Sequence, residues 1–560
     1  MESAVKNFAE WNTRLYFISL FLLLASVPLS KYTTSLSQFL LLGCWLAYRS
    51  DTAWLEEYLS GSRWHPFSIL RLIKGFLLSM GKSLISKFAA FFRNKAAMAI
   101  TSLLLLHVIG LIYTTDFHYA LKDLRTKLPL FILPLFLSTG PELKNRTLNL
   151  ILIGYVLAVF GGTIYRIILF LQLPVADTRA LDAHISHIRF SLNLVFSVFI
   201  LLHLIRLKNY LPSWQRMLFA FLILWFVFFL FYMRYSTGIV ILLVVSTLLL
   251  SYLAFHGTTL RTRLLFITGV LVLILVPAFL IHSTVRDYRR TEPVSFSKLD
   301  RYTSQGNSYY HDTVNFRIEN GHYVGLYICD KELREAWAER SAYPIDSLDS
   351  KQQKIRFTLV RYLASMELRK DSAGISQLTD KDIHNIEAGM TRRNSGSGFN
   401  IKTQVDNFLV GWDNYKRYHN ANANSLIQRF EYWRTSLLII RQNPIFGVGT
   451  GDVPEVFRVQ YEKMNSSLDP QFRLRSHNQF LSLTVAFGIM GLLWFVVVLV
   501  YPVIRTKRFS YYYLIFWIIF FISIFTEDTL ETQEGVTFYA LFTSMFLLAW
   551  KDDENDGNIL

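Results

Sequence analysis

Long apolar runs recur along this chain and restrict its fold more than any other feature. Hydrophobic residues make up 52% and aromatic residues 16% of the 560 positions. They form continuous stretches instead of the periodic pattern of a half-buried helix. A helix of about 20 apolar residues crosses the roughly 30 Å hydrocarbon core of a bilayer. The sequence therefore predicts an all-α integral membrane protein.

About twelve of the runs are predicted transmembrane spans, nine before a long polar region and three after it. The positive-inside rule fits this topology, because every second short loop carries lysine and arginine. Both termini are then cytoplasmic, and the polar region lies on the outer side. The predicted spans are 15–30, 33–48, 96–114, 128–139, 147–172, 187–205, 217–233, 236–254, 264–282, 478–504, 511–526 and 535–550.

The spans divide the chain into four parts. Residues 1–282 form an N-terminal membrane region, 283–476 a large loop domain between spans nine and ten, and 477–550 a C-terminal membrane region. The tail 551–560 is predicted to be cytoplasmic. Within the loop domain, residue spacing and composition predict three helices and one Ser/Gly-rich loop. These are helices at 331–341, 351–370 and 424–441 and a loop at 394–399.

The net charge of +16 does not require nucleic acid as a partner. In a polytopic membrane protein, basic residues gather in cytoplasmic loops and near anionic lipid headgroups. Residues 49–95 interleave basic with apolar side chains, which is typical of helices on the inner membrane surface. Cys44 lies in an apolar run and Cys329 in the polar region, so we do not expect a disulfide between them.

Polar residues collect at the outer ends of the predicted spans. Many are arginines, whose guanidinium groups bind phosphate oxygens in pairs and stay charged when partly desolvated. Without a dense set of carboxylate and histidine ligands, such a group favours a phosphate-bearing amphiphile over a metal ion. The residues are Asp116, His184, His187, Arg189, Arg234, Arg429, Arg434, Arg473, Arg475, His477, Glu527, Asp528 and Glu531.

Four motifs lie close together between residues 425 and 550, and one of them has a fixed spacing at the boundary between a polar loop and a span. The motifs are Arg429 with Trp433; the Pro444–Gly451 turn with Gly447, Gly449 and Gly451; His477-Asn478, nine residues, then Gly488-x-x-Gly491; and Glu531-x-Gln533-x-Gly535. This combination resembles the O-antigen ligase and polymerase family. The histidine motif is similar to the pattern of the ligases in particular.

The resemblance implies glycosyl transfer in a bacterial inner membrane, with the active site facing the periplasm. A glycan on undecaprenyl pyrophosphate moves to an acceptor hydroxyl, on lipid A-core for a ligase or on another lipid-linked repeat unit for a polymerase. His477 is the implied general base, because an imidazole with a pKa near 6.5 accepts a proton at neutral pH. The implied reaction needs no metal and no other cofactor, and membrane lipids surround the enzyme.

The resemblance also implies arginines that bind the diphosphate, and at one of these positions the chain differs from the family. Where family members carry an arginine after the seventh span, this chain has Ser236. Arg234, two residues earlier, is one replacement, and Arg189 is its rival. Arg429 and Arg475 complete the predicted diphosphate and glycan site, together with Trp433 and Asn478.

Plainer interpretations stay open for several of these residues. Arg429 and Trp433, four residues apart, can form a cation–π pair on a helix surface. Three glycines of the turn shape the backbone, with phosphate contact as a second role, whereas Gly488 and Gly491 allow close helix packing. A polysaccharide transporter or a non-catalytic assembly protein are competing functions, and both rank below a ligase or polymerase.

Overall fold

The computed structural model describes residues 2–48, 68–172, 184–207, 211–290, 294–314, 318–319, 321–350, 353–393, 399–422 and 424–551. Helices dominate these residues, and the named strands among them are a short antiparallel hairpin of Ile318–Glu319 (β1) and His322–Tyr323 (β2). The helices before the hairpin are α1 (Glu2–Ser26), α2 (Lys31–Ala47), α3 (Ser68–Arg93), α4 (Lys95–Ile109), α5 (Phe117–Lys127), α6 (Pro129–Thr139), α7 (Asn145–Gln172), α8 (His187–Arg206), α9 (Ser213–Tyr232), α10 (Ser236–His256) and α11 (Leu260–Arg289).

Ten more helices follow the hairpin. They are α12 (Asp330–Arg340), α13 (Ile355–Ser365), α14 (Ser372–Ser376), α15 (Asp380–Glu387), α16 (Ile401–Tyr418), α17 (Ser425–Gln442), α18 (Val453–Lys463), α19 (Gln479–Thr506), α20 (Tyr511–Thr526) and α21 (Gln533–Ser544).

A helix lies at each of the twelve predicted spans. Seven helices in the described ranges are long and apolar enough to cross a membrane, namely α4 with its following turn, α7, α8, α9, α10, α11 and α19. Helix α20 is strongly apolar but has 16 residues. The described residues are therefore nearly all-α, with seven candidate membrane spans. The count of twelve spans and the periplasmic placement of the loop domain stay predictions.

The short predicted span 128–139 is the second half of a longer helical segment. Only Leu128 separates α5 from α6, and its own backbone angles are helical. Pro129 begins α6 and has no N–H to donate, so the hydrogen-bond ladder is interrupted there. At 1.5 Å per residue, the two helices together extend about 35 Å. Helix α5 therefore leads from the partly exposed Tyr119 to the buried α6.

Helix α8 lies at the centre of the membrane region. In its apolar window, 83% of the residues are buried, more than in any other candidate span among the described residues. Arg166 of α7 faces this interior. Its guanidinium lies 3.7 Å from the ring centre of Phe190 and donates a 3.0 Å hydrogen bond to the carbonyl of Ile185. The arginine thus ties α7 to the segment that leads into α8.

The polar region 283–476 contains two structurally different parts. Residues after 399 pack on the membrane helices and contribute Ile427, Tyr432 and Tyr461 to the main core. A second core lies within residues 324–386 and is built around the fully buried Trp337. Tyr288 at the end of α11 donates a 2.8 Å hydrogen bond to Asp413 of α16, which attaches the part after residue 399 to α11.

The predicted helices of the loop domain are present, two of them shifted by one residue and the middle one shorter than predicted. Helices α12, α13 and α17 correspond to 331–341, 351–370 and 424–441, and α11 continues seven residues beyond its predicted span end. Three sequence-based predictions fall wholly or partly outside the described residues. These are residues 49–67 of the basic surface stretch, 394–398 of the Ser/Gly-rich loop, and 552–560 of the tail.

Glu332 is a buried carboxylate that holds the second core together. Thr303, Asn307 and Ser372 all donate hydrogen bonds to it, the last with both its backbone N–H and its hydroxyl. Burial alone would raise the pKa of this carboxyl, but the hydrogen bonds outweigh burial and lower the pKa to about 2.

We expect Glu332→Gln to lower the stability of the second core by about 1–3 kcal/mol at neutral pH. Because the folded pKa lies below the usual value of 4.5, the stabilisation is present above pH 4.5 and is lost as pH falls toward 2. Amide hydrogen exchange of α12 in the full-length protein checks this at pH 7 and pH 3. The exposed Glu335→Gln is the control, and an equal deficit at both pH values would contradict the expectation.

Candidate active site

His477 lies on a tight turn just before α19. Its φ of 44° is in the left-handed region, which costs a non-glycine residue of order 1–2 kcal/mol. Asn478 caps the helix, because its side-chain oxygen accepts from the N–H of Leu481 at 3.0 Å, and its amide donates to the carbonyl of Phe525 at 2.9 Å. Both polar ends of Asn478 are therefore used to fix the turn against the end of α20.

The ring of His477 contacts a buried carboxylate from a distant part of the chain. Nδ1 lies 3.2 Å from Oε2 of Glu527, whose side chain is 5% exposed. A carboxylate only accepts, so this contact places the proton on Nδ1 and leaves the lone pair on Nε2. The ring also packs on Tyr432 at a centroid distance of 5.5 Å. The ring of His477 is thus fixed with the Nε2 lone pair available to accept a proton.

Two arginines contact the loop of residues 527–531, which contains Glu527. Arg429 donates to Oε1 of Glu527 at 2.6 Å, and the buried Arg189 donates to Thr529 at 2.9 Å. Burial alone would raise the pKa of Glu527. The hydrogen bond from His477 and the charges of Arg189 and Arg429 outweigh that effect, so the pKa of Glu527 lies below its usual range.

Arg475 also turns toward carboxylates. Its guanidinium lies 3.4 Å from Glu531 and 3.9 Å from Asp528, and it donates to the hydroxyl of Tyr119 at 3.1 Å. The prediction of a site without a dense set of carboxylates is therefore wrong. Residues 527–531 fold over the histidine turn although they lie some 50 positions further along the chain, and they pair with its arginines.

The glycine turn after α17 is inserted into a break in α19. The N–H groups of Val448 and Gly449 donate to the carbonyls of Val485 and Ala486, at 3.0 and 2.9 Å. These carbonyls need outside donors because the helix is interrupted at Gly488, where φ is +63° and ψ is −163°. The turn therefore completes the hydrogen bonding of the short helical segment that follows His477.

Side chains have no room at this junction. A Cβ at Gly447 would lie 2.4 Å from the backbone of Ala486 and Phe487, and a Cβ at Gly488 would lie 2.1 Å from the carbonyl oxygen of Ile445. Gly451 packs equally tightly on the carbonyl of Asp116. The glycines thus allow the backbones of the turn and of α19 to come into contact. For Gly488 this differs from the prediction, which was packing between helices.

Other predicted site residues have more local surroundings. Among the described residues, no cation–π contact joins Arg429 to Trp433, and Arg429 pairs with Glu527 instead. Trp433 packs edge-on against Phe430 at 5.9 Å. At Gly491, a Cβ would lie 2.3 Å from the side chain of Phe487 within the same helix.

Arg234 occupies the turn that ends α9. Its φ is 58°, and the N–H of Tyr235 reaches back to the carbonyl of Leu230 at 3.0 Å, as in a Schellman cap. The arginine is exposed, and the contacts described above around Glu527 do not include it. Of the two rival arginines, Arg189 is the one that contacts the loop 527–531.

One group in the described ranges has the ligand types of a metal site. Atoms of His477, Glu527 and Asp528 lie within 4.8 Å of one another. The carboxylates already pair with guanidinium groups, Glu527 with Arg429 and Asp528 with Arg475. The guanidinium groups use one oxygen of each carboxylate, and His477 faces the other. A cation held by these atoms would therefore replace the hydrogen bond between Nδ1 of His477 and Glu527.

Comparison with known protein families gives a match in the second half of the chain. An O-antigen ligase family model matches residues 389–496. These residues are thus similar to the O-antigen ligase family. A search of curated proteins found no match.

The ligase-family match includes His477, Arg429, the glycine turn and the break at Gly488. It ends before Glu527 and begins after Arg189 and Arg234. The carboxylate half of the site, and the arginines of the N-terminal region, therefore come from outside the matched residues.

Three residues of α5 join the site without any sequence motif. Tyr119 contacts Arg475, and Asp123 and Lys127 pair with each other at 2.5 Å. The only available signal was their spacing, since residues 119, 123 and 127 share one face of a helix. That face of α5 packs toward the histidine turn, where Tyr119 contacts Arg475 and Lys127 contacts Glu531.

We expect Gly447→Ala to destabilise the region of the ligase-family match by of order 2–5 kcal/mol, because the methyl group would collide with backbone atoms at a positive φ. The melting temperature of the detergent-solubilised protein measures the loss. Gly161→Ala in α7 is the matched control, since no atom lies within 4 Å of its added Cβ. Equal melting temperatures for both variants would refute the assigned role of the turn.

Proposed function

We propose that the protein transfers a glycan from undecaprenyl pyrophosphate to a hydroxyl of lipid A-core, at the periplasmic face of the inner membrane. The family match supports a glycan-processing function of the ligase or polymerase type. One observation carries the more specific proposal. His477, inside the matched residues, is oriented through Nδ1 by Glu527, and Glu527 is in turn held by Arg429.

In the proposed reaction, Nε2 of His477 accepts the proton of the acceptor hydroxyl as its oxygen attacks the anomeric carbon. The bond from that carbon to the diphosphate oxygen breaks, and the diphosphate leaves with the electron pair. Glu527 stabilises the imidazolium that forms. Because the diphosphate is already a good leaving group, orientation and electrostatic stabilisation are enough to drive the step.

The arginines divide into two groups in this proposal. Arg429 and Arg189 adjoin Glu527 and are proposed to bind the diphosphate, and Arg234 at the exposed turn after α9 remains a candidate for the same role. Arg475 faces Glu531 and Asp528. We propose that Arg475 stabilises the loop 527–531. This role replaces the diphosphate binding that the sequence predicted for Arg475.

The deciding experiment is in vitro transfer from an undecaprenyl-pyrophosphate glycan to purified lipid A-core. We expect His477→Ala to lower the rate by about 10²–10⁴ at equal folded amount, as loss of a general base does. The wild type should keep its rate in EDTA. His384→Ala, which removes an imidazole that is 81% exposed on α15, serves as the control.

Other outcomes of this experiment point elsewhere. If the wild type lengthens the lipid-linked glycan and leaves lipid A-core unmodified, the protein is a polymerase with the same donor chemistry. Full activity of His477→Ala would reject the base, and loss of wild-type activity in EDTA would favour a cation at His477, Glu527 and Asp528.

We expect Glu527→Gln to lower kcat by of order 10² or more, since an amide can present its NH₂ group to Nδ1 and no longer stabilises an imidazolium. The same transfer assay measures the loss. Glu462→Gln, on the exposed side of α18, should leave the rate unchanged. A Glu527→Gln variant with wild-type kcat would exclude the carboxylate from the reaction.

A further inference from the structure

Lys127 is a cation buried beside the proposed active site. Its side chain is 1% exposed at the end of α5. Nζ lies 2.5 Å from Oδ1 of Asp123 and 2.9 Å from Oε2 of Glu531. A buried charge of this kind is costly unless it is fully paired, so its surroundings are under strong constraint.

Glu531 connects Lys127 to the histidine turn. Its Oε1 accepts from the side-chain amide of Gln479 at 3.0 Å, two residues after His477. The same Gln479 accepts from the N–H of Leu530 at 2.7 Å. Two hydrogen bonds of Gln479 therefore hold α19 and the loop 527–531 together. The side chain of Glu531 accepts one of them, and the backbone of Leu530 donates the other.

The charges in this cluster alternate in sign. Arg475 is positive and Asp123 and Glu531 are negative around a small cavity that Tyr119 also lines. Lys127 pairs with both carboxylates. Burial would raise the pKa of Glu531, but Lys127 and Arg475 outweigh burial and keep that pKa well below its usual range. His107 of α4 also faces the cluster, with Nε2 3.9 Å from Asp123.

We propose that Lys127 is a positioning residue for glycosyl transfer, which fixes the His477–Glu527 contact through Glu531 and Gln479. This inference rests on the proposed function for its effect on catalysis. Lys127 lies outside the ligase-family match and has no proposed contact with substrate.

The physical consequence of removing Lys127 follows from the charge balance. Asp123 and Glu531 would then share one cation, Arg475, in a buried setting, and their repulsion would favour protonation or displacement of Glu531. The contact with Gln479 would weaken in either case. Glu527, four residues before Glu531, would then no longer be fixed against the ring of His477.

The first test compares Lys127→Met with Lys127→Arg and with Lys122→Met, an exposed lysine on the same helix. In the transfer assay, we expect Lys127→Met to lower kcat by roughly 10- to 100-fold, as small displacements of catalytic groups do, with little change in KM for the donor. Lys127→Arg should recover much of the rate, and Lys122→Met should match the wild type.

A double variant separates charge balance from simple packing. Lys127→Met with Asp123→Asn removes one charge of each sign and leaves Glu531 paired with Arg475. We expect the double variant to regain most of the activity that Lys127→Met loses. If it is as inactive as His477→Ala, or if Lys127→Met keeps the wild-type kcat per folded molecule, the proposal is wrong.

A second measurement does not depend on transfer. Diethyl pyrocarbonate modifies accessible imidazole, and mass spectrometry reports the rate at which His477 is modified at a fixed pH. The charged groups facing this ring are Glu527, Asp528 at 3.9 Å, and Arg429 behind Glu527. Loss of the Glu527 contact in Lys127→Met frees the ring and should raise the rate of modification of His477.

The two measurements separate failure of the inference from failure of the proposed function. An unchanged modification rate of His477 in Lys127→Met would overturn the positioning role even if the wild type transfers glycan. If the wild type transfers no glycan, the proposed function fails, and a modification rate that rises in Lys127→Met and not in Lys122→Met still supports the positioning of His477.

Discussion

The candidate site depends on one buried carboxylate. Glu527 accepts from Nδ1 of His477 on one oxygen and from Arg429 on the other, and so joins three distant parts of the sequence. A carboxylate in such a place is tolerated only when it is fully paired. Those pairings fix both the tautomer of the histidine and the position of the arginine.

The glycine turn has a second supporting role. It enters the break in α19 and supplies donors to carbonyls that would otherwise lie buried without partners. The short segment between His477 and Gly488 is thereby attached to the turn after α17. The short helical segment that follows the histidine is therefore held by backbone hydrogen bonds, which do not depend on the identity of a side chain.

The membrane helices and the family could be predicted from the sequence, whereas the partners of the site residues could not. Apolar run length located helices at all twelve predicted positions, and His477 was identified through its spacing to Gly488. The pairing with Glu527 was hidden, because it depends on how the loop between α20 and α21 folds over α19. Lys127 was missed for a similar reason, since a lysine among several charged residues between two apolar runs resembles a loop residue.

The second core, around Trp337, gives the polar region a buried interior of its own. A unit with its own buried interior draws its stability from residues that do not pack against the membrane helices. Substitutions inside it therefore act first on its own folding equilibrium. In evolutionary terms, the surface of residues 294–393 is a part of the molecule that can diversify at a different rate from the site.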